Sequence, residues 1–196
     1  ITKPFDAEAI LTAIERALQK RSLEQEVCYL RSEVALRFDE TRIIGESRPM
    51  QAVFSLIKKV AGTSSNVLIT GETGTGKELA ARAIHNQSPR VSKPFVAINC
   101  AAIPPELIES ELFGHEKGAF SGAYSRNIGK FEFANNGSVF LDEISNLKLE
   151  LQAKLLRFLQ ERDFTRIGGH RSIKVDVRMI TATNISLKQM VQENRF

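Results

Sequence analysis

The run Gly71-Glu72-Thr73-Gly74-Thr75-Gly76-Lys77-Glu78 constrains this chain more than any other stretch. It follows the apolar, β-prone Val67-Leu68-Ile69 and leads into Leu79-Ala80-Ala81-Arg82-Ala83-Ile84, whose apolar residues have helical spacing. Strand, glycine-rich loop, lysine and helix, in that order, are the setting of a phosphate-binding loop. Glycines let backbone N–H groups turn inward without a Cβ in the way. The helix opening near Lys77 presents its positive end to the same phosphates, and Lys77 adds a mobile full charge. The plain alternative is a glycine-rich turn before an ordinary helix. It explains the glycines without explaining why lysine, strand and helix accompany them. One residue departs from the general pattern. Ser or Thr normally follows the lysine and binds Mg²⁺, whereas Glu78 stands here. Either this carboxylate holds the metal, as carboxylates can, or the metal is held elsewhere.

The flanking pattern predicts a parallel sheet. Pro94 precedes a second strand, Phe95-Val96-Ala97-Ile98, ending at Asn99. A strand that returns after a crossover helix implies parallel pairing with a right-handed connection. A third strand, Gly137-Ser138-Val139-Phe140-Leu141, delivers two carboxylates, Asp142 and Glu143, at its C-terminal end. Ligands of open parallel sheets bind at that edge. Alternation sends the two side chains to opposite faces, one toward a metal and one toward water. Adjacent acids at a strand end are otherwise ordinary surface. A fourth strand is predicted over Val175–Ile180, closing on Thr181-Ala182-Thr183-Asn184, which puts Asn184 at the same edge as Asp142. Helices are predicted from Met50 to Val60, from Pro104-Pro105 through Leu112, and over Leu147–Leu159. The last carries Glu150 and Lys154 as an i,i+4 pair.

Two stretches break these elements. Gly118-Ala119-Phe120-Ser121-Gly122-Ala123 packs small residues around one aromatic. Phe120 is either a contact residue at a loop tip or an anchor that holds the loop down; the pattern leaves both open. Residues 161–175 read as a polar, glycine-containing insertion. Its basic excess from Arg157 to Arg178 is diluted by acids and is no nucleic-acid stripe.

At 196 residues, +4 net charge and 42% hydrophobic content, the chain suits one globular domain with a small addition. No apolar run reaches the length of a membrane span, and the first residues do not read as a signal peptide. Cys28 and Cys100 lack metal-type spacing, and His85, His115 and His170 form no ligand set. A reduced, cytoplasmic setting is expected. At the front, Ile10, Leu11, Ile14, Ala17 and Leu18 recur at helical spacing. Leu23, Val27, Leu30 and Val34 follow as an a/d seam of about two heptads. That seam suits a linker that pairs with its twin; the alternative is a single helix lying on its own domain.

Together these motifs resemble the AAA+ domain of sigma-54-dependent transcriptional activators, the bacterial enhancer-binding proteins, over residues 43–196. Gly71–Glu78 is similar to that family's Walker A, including the Glu after the Lys, and Val139–Glu143 to its Walker B. Asn99 resembles the switch residue that pairs with the Walker B Glu, here Glu143, and Asn184 resembles sensor I. Gly118–Ala123 reads GAFSGA where the family has GAFTGA, so Ser121 keeps the hydroxyl and loses the methyl. Residues 162–174 resemble the family's second insertion. Lys3-Pro4-Phe5-Asp6 and the following helix, residues 1–20, resemble the close of a response-regulator receiver domain, joined by a helical linker, 21–42.

The resemblance implies an α/β fold: an AAA+ P-loop NTPase core with a parallel sheet and flanking helices, without the lid subdomain. It implies ATP and Mg²⁺ as cofactors. Gly71–Glu78 would hold phosphates, Asp142 with Glu78 the metal, and Glu143 the attacking water. Asn99 and Asn184 would report the γ-phosphate. The implied partners are sigma-54 with RNA polymerase, met by Gly118–Ala123, and further copies of the chain, as a dimer through the linker and as a ring. DNA would be bound by a C-terminal domain beyond Phe196, as would the trans-acting arginines lie there, so the chain is expected to be a piece of a longer phosphorelay regulator. The rival expectation is a non-hydrolysing, nucleotide-gated interaction module. A small-molecule kinase is a weaker third, for want of an acceptor pocket.

Overall fold

Four parallel strands carry the fold, and their order explains why distant residues meet. The computed structural model describes residues 43–196. The expected receiver-domain end and helical linker, residues 1–42, lie outside the described residues. Helix α1 (Arg48–Ala61) leads to β1 (Val67–Thr70), the glycine-rich loop and α2 (Lys77–Asn86). Strand β2 (Phe95–Asn99) follows, then α3 (Ile108–Phe113), a hairpin of β3 (Gly114–His115) and β4 (Asn127–Ile128), and the one-turn α4 (Lys130–Phe133). Next come β5 (Ser138–Asp142), a 3₁₀ turn (Ile144–Asn146) and α5 (Leu149–Glu161). A second hairpin, β6 (Asp163–Thr165) and β7 (Ser172–Lys174), precedes β8 (Arg178–Thr183) and α6 (Leu187–Gln192).

The main sheet runs β1-β8-β5-β2, all parallel. After β1 the chain crosses to the far edge to lay down β2, then fills the middle with β5 and β8. Thr70 pairs with Thr183 and Asn99 with Asp142, so the C-terminal ends of all four strands share one edge.

Both faces of the sheet are covered, as parallel sheets require. Alternation along β5 sorts its residues: Val139 and Leu141 pack with Met179, Leu112, Leu151 and Leu155 on one side. Phe140 packs with Ile57, Ala81, Ile84 and Ile180 on the other. The α/β fold with a parallel sheet and flanking helices is therefore as the residues imply.

Several boundaries differ from expectation. The fourth strand begins at Arg178, three residues late, and runs through Thr183. Val175 and Val177 are buried, but they pack ahead of the ladder. Helix α3 starts at Ile108, because Pro104 to Leu107 make a turn first. The expected Glu150–Lys154 pair is replaced by a tertiary one, Lys154 with Glu109 of α3.

Arg178 is almost wholly buried. Its guanidinium donates to the carbonyls of Val60 and Ala61, at the end of α1, and of Ser65. A cation there meets the negative end of the helix and satisfies carbonyls that have no partner within it.

Candidate functional site

The turn from β1 into α2 needs left-handed backbone, and the sequence supplies glycine at each such point. Gly74 has φ +81° and Gly76, the N-cap of α2, has φ +83°. Thr75 Oγ1 donates to the Glu72 carbonyl at 2.8 Å, which braces the loop. Lys77 is buried, and its Nζ donates to the carbonyls of Gly71 (3.0 Å) and Glu72 (2.9 Å). The same Nζ lies 3.9 Å from Glu143 Oε1. The Walker-type lysine and the carboxylate just after β5 are thus brought together from 66 positions apart in the chain.

Asp142 closes β5, and its Oδ1 accepts from the Glu143 N–H at 3.0 Å. Its other carboxylate oxygen has no hydrogen-bond partner among the described residues. Glu143 itself sits in left-handed backbone, φ 53° and ψ 50°. A non-glycine residue there stores roughly 1–3 kcal/mol, and such residues cluster at functional sites. The kink turns Glu143 away from the strand line and toward Lys77. Asn184, one residue past β8, completes the group. Its backbone N–H donates to Glu143 Oε2 at 3.4 Å, and its Nδ2 donates to Thr73 Oγ1 at 3.1 Å. Beneath it, buried Thr183 donates from Oγ1 to Ser145 Oγ at 3.2 Å, tying β8 to the 3₁₀ turn after β5.

Two residues of the expected set do something else. Glu78, expected as a metal carboxylate, is bonded to Arg82 one turn along α2, by Nε at 3.0 Å and Nη2 at 2.6 Å. Both bonds fall on Oε1, so the carboxylate is held along α2 by Arg82. Asn99 is not hydrogen-bonded to Glu143. Its Oδ1 accepts from the N–H groups of Ala101 (2.9 Å) and Ala102 (3.2 Å), closing a turn after β2.

Among the described residues no cluster of three or more His, Cys, Asp or Glu is set to hold a metal ion. A lone carboxylate beside a phosphate loop suits Mg²⁺, which takes one or two carboxylates and keeps phosphate oxygens and water as its other ligands. Asp142 fits that role. Buried Cys100 lies next to this edge; burial, then Asp142 and Glu143, push its thiol up to about 12.

The loop Gly118–Ala123 stands apart from this edge. Gly118 and Gly122 have φ +83° and +107°. The Gly118 N–H donates to Ala123 O, and buried Ala123 roots the loop. Phe120 is 39% exposed, its ring 5.0 Å from the His115 ring at 66°. Ser110 Oγ lies 2.7 Å from His115 Nδ1 and steadies that ring. Phe120 therefore rests against the loop base while showing a face to solvent.

Sequence reasoning missed what anchors the two insertions. Phe113, Phe131, Phe158 and Phe164 form one cluster, with ring centroids 4.3 to 6.3 Å apart. Arg166, 6% exposed, bonds Glu116 of the first insertion at 2.7 Å and Glu132 of α4 at 2.5 Å. Ile167 adds backbone bonds to Glu116 and Gly114. The polar look of 161–175 hid this, although Phe164 and Arg166 alternate as inward residues of a strand would.

This geometry can be set beside known proteins. The sigma-54 interaction domain matches residues 43–196. The chain belongs to the sigma-54 interaction domain family. It is 50% identical over 196 residues to the regulatory protein AtoC of Escherichia coli (strain K12), covering all of this chain and 42% of AtoC. It is 49% identical to the DNA-binding transcriptional regulator NtrC of the same organism, covering 41% of NtrC. The crystal structure of NtrX from Brucella abortus in complex with ATP superposes with a TM-score of 0.74 at 41% identity, covering all of this chain and 40% of that one. The P-loop NTPase domain of an E. coli sigma-54 transport activator matches at TM-score 0.52 and 20% identity, over 78% of this chain and 87% of that one, a likeness of fold. This sigma-54 interaction domain chain thus spans about two-fifths of the length of AtoC and NtrC.

Proposed function

We propose that this chain is the nucleotide-binding engine of a two-component transcriptional activator that spends ATP to remodel sigma-54 RNA polymerase and open promoter DNA. The observation that carries the reading is the convergence of Lys77, Asp142, Glu143 and Asn184 at one sheet edge. In that reading the loop amides and Lys77 hold the phosphates, and Asp142 takes Mg²⁺. Glu143 orients the attacking water, and Asn184 meets the γ-phosphate. With its side chain folded onto Ala101 and Ala102, Asn99 reaches Glu143 only after a side-chain rotation. Phe120 and its loop meet the sigma factor. Copies of the domain assemble as a ring in the cytoplasm, and DNA is held by another part of the protein. The NtrX complex with ATP supports ATP as the ligand.

The test is ATP titration with Mg²⁺, alongside phosphate release, on this chain and on a longer natural form of it. Binding is expected in both. Turnover is expected in the longer form, because an arginine supplied in trans is worth roughly 10³–10⁵ in rate and the family places such arginines beyond residue 196. Binding and assembly without turnover in either form would instead favour a nucleotide-gated interaction module.

A further inference from the structure

We propose that Thr73 is the positioning residue for the Asn184 amide, so that the loop's own hydroxyl sets how well this site tells ATP from ADP. The inference rests on the nucleotide reading above. Asn184 is exposed and lies just past the end of β8. An exposed carboxamide there is otherwise free to rotate, and fixing it costs entropy at the moment of binding.

Two contacts hold Asn184 beforehand, one on its backbone and one on its carboxamide. Glu143 Oε2 accepts from its backbone N–H, and Thr73 Oγ1 accepts from its side-chain Nδ2. Thr73 sits in the loop between Gly71 and Gly74, so the amide is tied to the element that wraps the phosphates. A carboxamide nitrogen carries two N–H donors. With one on Thr73, the other remains for a phosphate oxygen.

The two loop hydroxyls divide the work. Thr75 Oγ1 turns back onto Glu72 O within the loop. Thr73 Oγ1 reaches across to β8. ADP has no γ-phosphate to present to Asn184, so pre-setting this amide favours ATP alone.

The experiment is calorimetric titration of this chain with Mg²⁺-ADP and with a non-hydrolysable Mg²⁺-ATP analogue. Thr73→Val is expected to weaken analogue binding about three- to tenfold, the worth of one neutral hydrogen bond, and to leave ADP binding as in the parent. Thr73→Ser, which keeps the hydroxyl, should bind both as the parent does. Asn184→Ala should lose at least as much analogue affinity, and adding Thr73→Val to it should cost nothing more, since both act through one contact. Equal weakening of ADP and analogue by Thr73→Val would overturn the proposal and assign the hydroxyl to the shared phosphates. Additive losses in the double variant would overturn it too. A parent chain that binds neither nucleotide would overturn the reading of the site itself, and is seen before any substitution is made.

Discussion

Replacing Glu143 by Gln should make ATP bind more tightly while abolishing its hydrolysis. The Lys77 ammonium and the Glu143 carboxylate are 3.9 Å apart, with side chains 7% and 15% exposed. Two unit charges at that distance attract by about 4 kcal/mol at the effective dielectric of about 20 that suits protein sites. The attraction competes with phosphate for Lys77, and the carboxylate repels phosphate as well. Lys77 also donates to Gly71 and Glu72, bonds that should persist in the variant, and water at the sheet edge screens the pair. About 1–2 kcal/mol of the gross figure should reach the binding equilibrium, a gain of roughly 5- to 30-fold in ATP affinity. Gln is close to Glu in shape, and its carbonyl oxygen can still accept from the Asn184 N–H, so the local geometry should persist. What it cannot do is polarise water as a carboxylate does, a role worth about 10²–10⁴ in rate. Affinity is read by titration on this chain, and turnover by phosphate release on a longer natural form. An unchanged or weaker affinity would refute the charge competition. Undiminished turnover would refute Glu143 as the group that activates water.

Three further outcomes follow from buried groups. Arg178→Met should destabilise the chain by about 2–4 kcal/mol in urea unfolding. It strips the donor from the carbonyls of Val60, Ala61 and Ser65, and hydrogen bonds to charged groups are worth about 1.5–3 kcal/mol each; a loss under about 1 kcal/mol would refute the capping role. Burial, with Arg178, Arg82 and Arg90 adding, holds the His85 imidazole below its ordinary pKa against a backbone hydrogen bond at Lys93. The unfolded chain therefore takes up a proton first. Stability should be full above about pH 6.5 and fall below it by up to about 1.4 kcal/mol per pH unit, and His85→Asn should flatten that slope in unfolding curves taken between pH 5 and 7. Cys100, with its thiol pushed up to about 12, should resist iodoacetamide at pH 8 in a Cys28→Ser background until the chain is unfolded; prompt labelling of the folded chain would show that the β2 edge opens.

What the residues disclose about this site depends on range. The glycine-rich loop was legible because its needs are local: left-handed backbone at Gly74 and Gly76, then a lysine at the head of a helix. The shared edge was legible too, since parallel strands joined by crossovers must end together, and that alone brings Asp142 and Asn184 to Lys77. Pairings were harder, because a side chain offered two partners takes the better one. Lys154 has Glu150 on its own helix, yet it bonds Glu109 across the domain. Arg166 looked like solvated surface because its carboxylates lie 50 and 34 positions earlier, at Glu116 and Glu132.

Glu78 shows the opposite case, where a local signal was present and outweighed by analogy. Its place after Lys77 suggests a metal ligand, but Arg82 stands four residues on, and acid-before-base at i,i+4 is the favoured helical pair. Once that pair forms, Glu78 Oε1 is held by the Arg82 guanidinium along α2. At the end of β5, Asp142 keeps one carboxylate oxygen without a hydrogen-bond partner among the described residues. We propose that Mg²⁺ is held at the strand end by Asp142, while the residue after Lys77 pairs with Arg82 along the helix that carries the lysine.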